Sequence, residues 1–264
     1  MNADSVLALM YHGLSGDTPA PVVADAHYTL PTPQFAAHLD ALIARGIRPG
    51  CATDTLVHGR ADVIITFDDG DISNFAEAWP ILRRRGLRAD FFVNPARVGQ
   101  PGYCSWAQLR EMHAGGMSIQ SHGMTHRYFT RLTPQALRDE LVQSRERIAD
   151  HLGTPVDWLA PPGGRCPPRL GELAREVGYA GVLGSAPGII RRATANDVVV
   201  LPRVAVTANT PAEAVCRWAL GGNSALRGLR WRYRILHTAK RLMGDRGYER
   251  LRSAMLGQAA PVQP

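Results

Sequence analysis

The chain has 264 residues with 45% hydrophobic content, enough to bury a full core as one large α/β domain or as a domain with an extension. No run approaches the roughly 18 apolar residues of a membrane span, and no low-complexity tract or internal repeat is visible. Net charge is +7 and the pI is near 9.7, yet residues 217–252 hold ten Arg or Lys against Asp245 and Glu249, a balance of +8 that leaves the rest of the chain close to neutral.

Residues 1–5 carry no basic leader, and the apolar run at residues 6–10 is too short for a signal peptide. Cys51, Cys104, Cys166 and Cys216 have no paired spacing, which gives neither a zinc knuckle nor a redox pair and fits reduced thiols. Together these features lead to the expectation of a cytoplasmic protein, or one peripheral on the inner membrane face.

In chain order, residues 6–10 suit a central strand that ends at Tyr11-His12-Gly13. His12 there is open to three readings: ligand, acid or structural histidine. Residues 16–32, rich in Pro, Ala and Asp, read as a loop over that rim. A helix follows over residues 33–45, with Phe35, Leu39, Leu42 and Ile43 at helical spacing, Thr32 as cap, Pro33 first and Gly46 closing.

Val63-Ile64-Ile65-Thr66-Phe67-Asp68-Asp69-Gly70 is the stretch the rest is organised around. An apolar β-branched run stops at two adjacent carboxylates and a glycine, which reads as a buried strand delivering its chemistry at the carboxyl end. Two neighbouring carboxylates repel unless a cation separates them or one stays protonated, so a division of labour follows: one binds metal, the other handles protons. The competing reading is structural, since Asp68-Asp69-Gly70-Asp71 followed by Ile72-Ser73-Asn74 is also a good turn and helix-cap sequence.

Next come a helix over residues 73–85 with the basic exit Arg83-Arg84-Arg85, a strand over residues 89–93, a helix over 106–113 capped by Ser105, and a strand over 117–120. Alternating strands and helices argue for a parallel sheet or barrel. The last strand delivers Ser121-His122-Gly123-Met124-Thr125-His126. In a helical turn two histidines four apart share a face, with Cβ atoms about 5–6 Å apart, close enough to bind one metal. Adding Asp69 gives two imidazoles and a carboxylate, a set that leaves a position open for water, with Asp68 beside it as base.

Thr133-Pro134 opens a long helix through Leu137, Leu141, Ile148 and Leu152, ended by Gly153-Thr154-Pro155. The strand at 156–160 runs into Pro161-Pro162-Gly163-Gly164-Arg165, either an ordinary Pro-Gly turn or a rigid loop offering the Gly163 N–H as an oxyanion donor. A helix at 169–178 and strands at 180–183 and 198–201 precede Pro202-Arg203. Arg203 could orient a catalytic carboxylate or lie at the surface.

The order Thr66-Phe67-Asp68-Asp69-Gly70, Ser121-His122-Gly123-Met124-Thr125-His126, Pro161-Pro162-Gly163-Gly164 and Leu201-Pro202-Arg203 resembles the NodB-type polysaccharide deacetylases, carbohydrate esterase family four, over residues 6–207. The resemblance implies an α/β fold, a distorted (β/α) barrel of about seven strands over residues 1–210, and hydrolytic removal of acetyl groups from N-acetylated saccharides. By position it makes Asp68 the general base and Asp69, His122 and His126 the ligands of a divalent metal, usually zinc. Many members hold the catalytic Asp with an arginine where this chain has Ala160, which leaves Arg165 or Arg203 as the replacement. The family's acid histidine usually lies in a late Leu-x-His strand. Ile235-Leu236-His237 matches that wording but sits in a basic stripe, whereas Met10-Tyr11-His12-Gly13 is similar to a circularly permuted arrangement and makes His12 the preferred acid.

Residues 211–264 read as a basic helical extension. Leu229, Tyr233, Leu236, Ala239 and Met243 fall on one face, with Arg227, Arg230, Arg234, His237 and Arg241 on the other. That extension either packs its apolar face on the barrel or lies on an anionic membrane surface through residues 217–252, with Trp231 and Tyr233 near the headgroups. No nucleic-acid reading motif accompanies the arginines. The membrane reading makes a lipid-linked or nucleotide-linked sugar a natural substrate. The remaining alternative is a barrel that keeps its metal without deacetylating, binding carbohydrate or a membrane surface instead.

Overall fold

Short runs of Val, Ile, Leu and Phe with no polar face form strands when both sides of the sheet are covered. The computed structural model, which describes residues 4–16, 24–192, 200–236 and 238, lays such runs side by side: β1 (Ser5–Tyr11), β2 (Val63–Phe67), β3 (Asp90–Val93), β4 (Ser118–Ser121), β5 (Trp158–Leu159) and β6 (Gly181–Leu183). All six pair in parallel in that order. β7 (Val200–Leu201) continues the series on β6, and β8 (Val204–Ala205) pairs in parallel with β1. Only Pro202 and Arg203 separate β7 from β8, so one staggered segment spans from the last strand back to the first. The result is a nearly closed barrel of eight strands in seven positions, as the family resemblance implies.

Helices α1 (Thr32–Ile43), α2 (Trp79–Arg84), α3 (Trp106–Ala114), α4 (Pro134–Leu152), α5 (Leu170–Val177) and α6 (Ala212–Ala225) supply the outer shell. Ser105 caps α3 through a reciprocal box with Gln108, and Thr133 caps α4 by accepting from the Ala136 N–H. Two local expectations are corrected. Thr32 lies inside α1, which starts after Pro31 with no side-chain cap and carries Pro33 in its second position. The helix expected over 73–85 is present over 72–84, but it is widened to a π-helix at Asn74–Ala78 before the regular α2. Pro80 has no N–H to extend an earlier ladder, so the regular helix begins only at Trp79. Of the strand expected at 198–201, Val200 and Leu201 are observed, while 198 and 199 lie outside the described residues.

Alternation along the strands sorts residues between lumen and shell. Val6, Ala8, Ile64, Phe92, Trp158, Ala160, Leu183 and Leu201 form the inner cluster, whereas Leu7, Leu9, Tyr11, Ile65, Phe67, Phe91 and Ile119 pack outward against the helices. Each such Val, Leu, Ile or Phe side chain, removed from water, contributes about 1.5–3 kcal/mol. The same period of two carries the lumen face upward to His12, Thr66 and Asp68, Asn94, His122 and Ala160 at the carboxyl ends.

The first part of the basic extension belongs to the shell. α6 packs on α1 and β1 through buried Ala214, Val215, Cys216, Trp218 and Ala219. After a break at Gly222 (φ 57°, ψ −145°), buried Leu226 and half-buried Leu229 and Tyr233 continue the docked stripe. Leu236, expected on that stripe, is largely exposed, as are Trp231 and Ile235. His237, Ala239 and Met243 lie outside the described residues. Among the described residues no helix is long and apolar enough to cross a membrane. All four cysteines are unbridged.

Candidate active site

Beyond β2 the chain keeps pairing for one residue, with the Asp68 N–H donating to Tyr11 O at 3.0 Å. It then turns through left-handed backbone at Asp69 (φ 76°) and Gly70 (φ 73°). A non-glycine residue held there costs on the order of 1–3 kcal/mol, and the turn points two successive carboxylates in different directions. Asp71 accounts for the turn chemistry, accepting from the Ser73 N–H at 2.8 Å and the Ser73 hydroxyl at 2.6 Å. The structural reading of the acidic cluster therefore fits Asp71, and Asp68 and Asp69 have other partners.

Asp68 is gripped by Arg203. The guanidinium donates through Nη1 to Oδ1 at 2.7 Å and through Nη2 to Oδ2 at 2.8 Å, while Nη1 also reaches the Thr66 hydroxyl at 2.9 Å and Nε the Gly184 carbonyl at 2.8 Å. Arg203 is completely buried, which ends the surface alternative, and it crosses the lumen over Phe92. Arg165, the other possible tether, instead lies 3.7 Å above the Tyr128 ring. Burial acts to raise the Asp68 carboxyl, but the charges of Arg203 and His122, the Arg203 hydrogen bonds and the charge of His12 outweigh it and hold the group below its ordinary value.

Asp69 faces the histidines. Its Oδ1 lies 3.3 Å from His122 Nε2 and 2.9 Å from His126 Nε2, and one ligand atom from each of the three side chains lies within 4.8 Å of the others. The imidazoles do not meet on a helical turn, as their spacing suggested. The segment is irregular, with Gly123 at φ 76° and His126 at φ 65°, and the ring centroids are 5.3 Å apart. His122 Nδ1 donates to Ala160 O at 2.8 Å, which orients the ring and turns Nε2 toward Asp69. Burial pushes the His126 imidazole below its ordinary value despite the opposing pull of Asp69. Two imidazoles and one carboxylate whose ligand atoms converge in this way fit a divalent cation of zinc type.

His12 sits beside Asp68 because Tyr11 pairs with Phe67 in the preceding register. Its ring stacks on Tyr28 at 4.7 Å, and its charge is felt at both Asp68 and Asp69. Its buried Nδ1 has no hydrogen-bond partner among the described residues. Gly163 (φ 60°) is exposed in a short 3-10 turn at Pro162–Gly164, and a Cβ on it would stand 2.8 Å from the Tyr128 ring. The N–H groups of Gly164 and Arg165 are used by Pro161 O and Pro162 O, which leaves that of Gly163 as the candidate donor.

Three contributors were not read from the sequence. Glu140, buried on α4, accepts from the N–H groups of Met124 and Thr125 at 2.7 and 3.0 Å and from the Thr125 hydroxyl, and so clamps the turn between the two histidines. Its one signal was an acidic residue one turn from Leu137 and beside Leu141, on the apolar side of its helix. Asn94, at the end of β3, donates to the carbonyls of His122 and Gly123, and Asn before Pro95 was readable only as a turn. The Ala160 carbonyl has no signature at all, being backbone.

A lumen-facing aspartate clamped by arginine thus stands next to an aspartate shared by two histidines at the carboxyl rim of a (β/α) barrel, a fold shared with solved deacetylases. Residues 57–182 match the family described as polysaccharide deacetylase. It is 28% identical over 191 residues to YxkH of Bacillus subtilis (strain 168), whose name assigns it provisionally to the polysaccharide deacetylases; the match covers 70% of this chain and 66% of that protein, just under two thirds of its length. Among solved structures it is similar to IcaB from Ammonifex degensii (27% identity, TM-score 0.69, 82% of this chain and 97% of that one). The Streptococcus pyogenes deacetylase PplD, solved with acetate, shares the fold (22% identity, TM-score 0.71, covering 81% and 97%).

Proposed function

We propose that the protein is a metal-dependent hydrolase that removes N-acetyl groups from an N-acetylated saccharide. The observation that carries this reading is the split of two adjacent carboxylates, Asp69 toward His122 and His126 and Asp68 toward Arg203. A divalent cation, zinc by the donor set, would be held by Asp69, His122 and His126, polarising the acetyl carbonyl and easing the ionisation of water.

The chain's own groups supply the rest. Asp68, kept ionised and aimed by Arg203, takes a proton from the attacking water as its oxygen bonds to the acetyl carbon. The Gly163 N–H donates to the oxygen that gains charge. As the C–N bond breaks, protonated His12 gives its proton to the departing sugar nitrogen, leaving acetate and a free amine. His12 is favoured over His237 by its place beside Asp68. Acetate release from N-acetylated oligosaccharides, followed together with metal content before and after chelation, tests the reading; hydrolysis unaffected by metal removal would reject it.

A second reading concerns location. Trp231, Ile235 and Leu236 are exposed among Arg227, Arg232 and Arg234, a combination suited to an anionic membrane surface and hence to a peripheral place on an inner membrane face and a lipid-linked substrate. Co-sedimentation with anionic vesicles, with and without residues 227–264, tests it. Binding unchanged by the truncation would reject it.

A further inference from the structure

The loop after β3 stands against the candidate site on two sides. The Ala96 N–H donates to Met124 O, between the two histidines, while the Cys104 N–H donates to Gly70 O and the Ile72 N–H to Gly102 O. Tyr103 bridges to Asp71 through backbone. Residues 96–104 are thereby laced to both the turn that carries Asp69 and the turn that carries His126. From this loop Arg97 donates through Nη1 to the Tyr103 hydroxyl at 3.0 Å, with its guanidinium 5.5 Å over the same ring. Its positive charge is felt at His126, and Tyr103 lies close enough to Asp69 to feel its negative charge.

Arg97 is half-buried and pairs with no carboxylate among the described residues, in contrast to Arg48, Arg85, Arg88 and Arg203, each of which has one. A guanidinium has five donors in a planar fork that matches carboxylate and phosphate oxygens. Here a single donor goes to a neutral phenol. Nothing in the hydrolytic scheme above uses this group, although it borders the Asp69–His126 side of the cleft.

We infer that Arg97, steadied by Tyr103, selects substrates that carry an anionic oxygen group, carboxylate or phosphate, on or next to the N-acetylated sugar. This rests on the deacetylase reading and names its substrate class. Arg97 would act in specificity and take no part in bond making or breaking.

Binding to three saccharides, measured by calorimetry on the full chain, tests the inference without requiring turnover: tri-N-acetylchitotriose, the same trisaccharide oxidised to carboxylate at C6, and the same trisaccharide phosphorylated at its reducing end. The two charged arms separate a carboxylate source from a phosphate source. The expected result is roughly tenfold tighter binding of at least one charged form, as a charge-assisted fork predicts. Arg97→Gln would erase that preference while leaving the neutral sugar's affinity and the metal content unchanged, and Arg97→Lys would keep part of it. Equal affinity of the wild type for all three, or an Arg97→Gln loss common to all three, overturns the inference. A charge preference in a protein that releases no acetate would uphold Arg97's role and reject the hydrolase reading, so the two can fail separately.

Discussion

Arg203 and Asp68 form a two-pronged ion pair at 2.7 and 2.8 Å, buried in the barrel lumen and made between the segment that closes the sheet and the strand that carries the acidic pair. Its energetic meaning is set by burial, because removing one partner leaves the other's charge without compensation at a cost of about 3–5 kcal/mol. Arg203→Met is therefore expected to lower stability by that order and to raise the Asp68 carboxyl. Asp68's value in the folded state is depressed, so the stability it contributes is present above the ordinary carboxylate value and is lost as pH falls through the folded one. Urea titrations should show a larger loss of stability on substitution at pH 7, where the unpaired carboxylate is charged, than at pH 4. The acid limb of the rate profile should move upward in any Arg203→Lys protein that folds.

Asp68→Asn keeps shape and removes basicity. Acetate release is expected to fall by 10² to 10⁴, the range typical of a lost general base, with metal content intact because Asp69, His122 and His126 are untouched. Turnover near the wild-type level would take Asp68 out of the proton-transfer role.

Glu140 touches neither proposed substrate nor metal, yet it fixes the backbone of Met124 and Thr125. Glu140→Ala should loosen the spacing between His122 and His126 and weaken zinc affinity by about 10- to 100-fold, as is usual when a partner behind the ligands is removed. Competition with a chromophoric chelator reads this directly. Unchanged affinity in a folded variant would limit Glu140 to packing.

Asp90, at the opposite end of the barrel, accepts from the Ala52 N–H at 2.7 Å, and burial raises its carboxyl to about 7. A raised carboxyl contributes stability that is full below pH 3.8 and is lost as pH rises through about 7. Wild-type Tm should accordingly decline between pH 5 and pH 8 by more than that of Asp90→Asn, which can still accept from Ala52. Parallel melting curves would contradict the assignment.

Much of this was legible because it is local or periodic. The Val63–Phe67 run and its terminal carboxylates, the Ser105 and Thr133 caps and the alternation that aims His12 and Asp68 into one lumen follow from neighbours in sequence. The choice of Arg203 over Arg165 did not, since it depends on which side chain crosses the barrel and that is settled by closure of the sheet. Spacing brought His122 and His126 together for a reason that proved incomplete: the chain meets the distance with left-handed residues at Gly123 and His126 instead of a helical turn. Glu140 was hidden because a polar residue inside a helix ordinarily faces water.

Closure of the ring by residues 200–205 has a consequence for assembly. A fragment limited to residues 57–182 would contain Asp68, Asp69, His122 and His126 but lack both His12 and Arg203, which arrive from the first strand and the last. Such a piece would keep the Asp69, His122 and His126 cluster without the arginine that clamps Asp68 or the histidine beside it. The whole candidate site thus exists only where the two ends of the barrel are joined, because the first strand and the last each deliver one of the side chains beside Asp68.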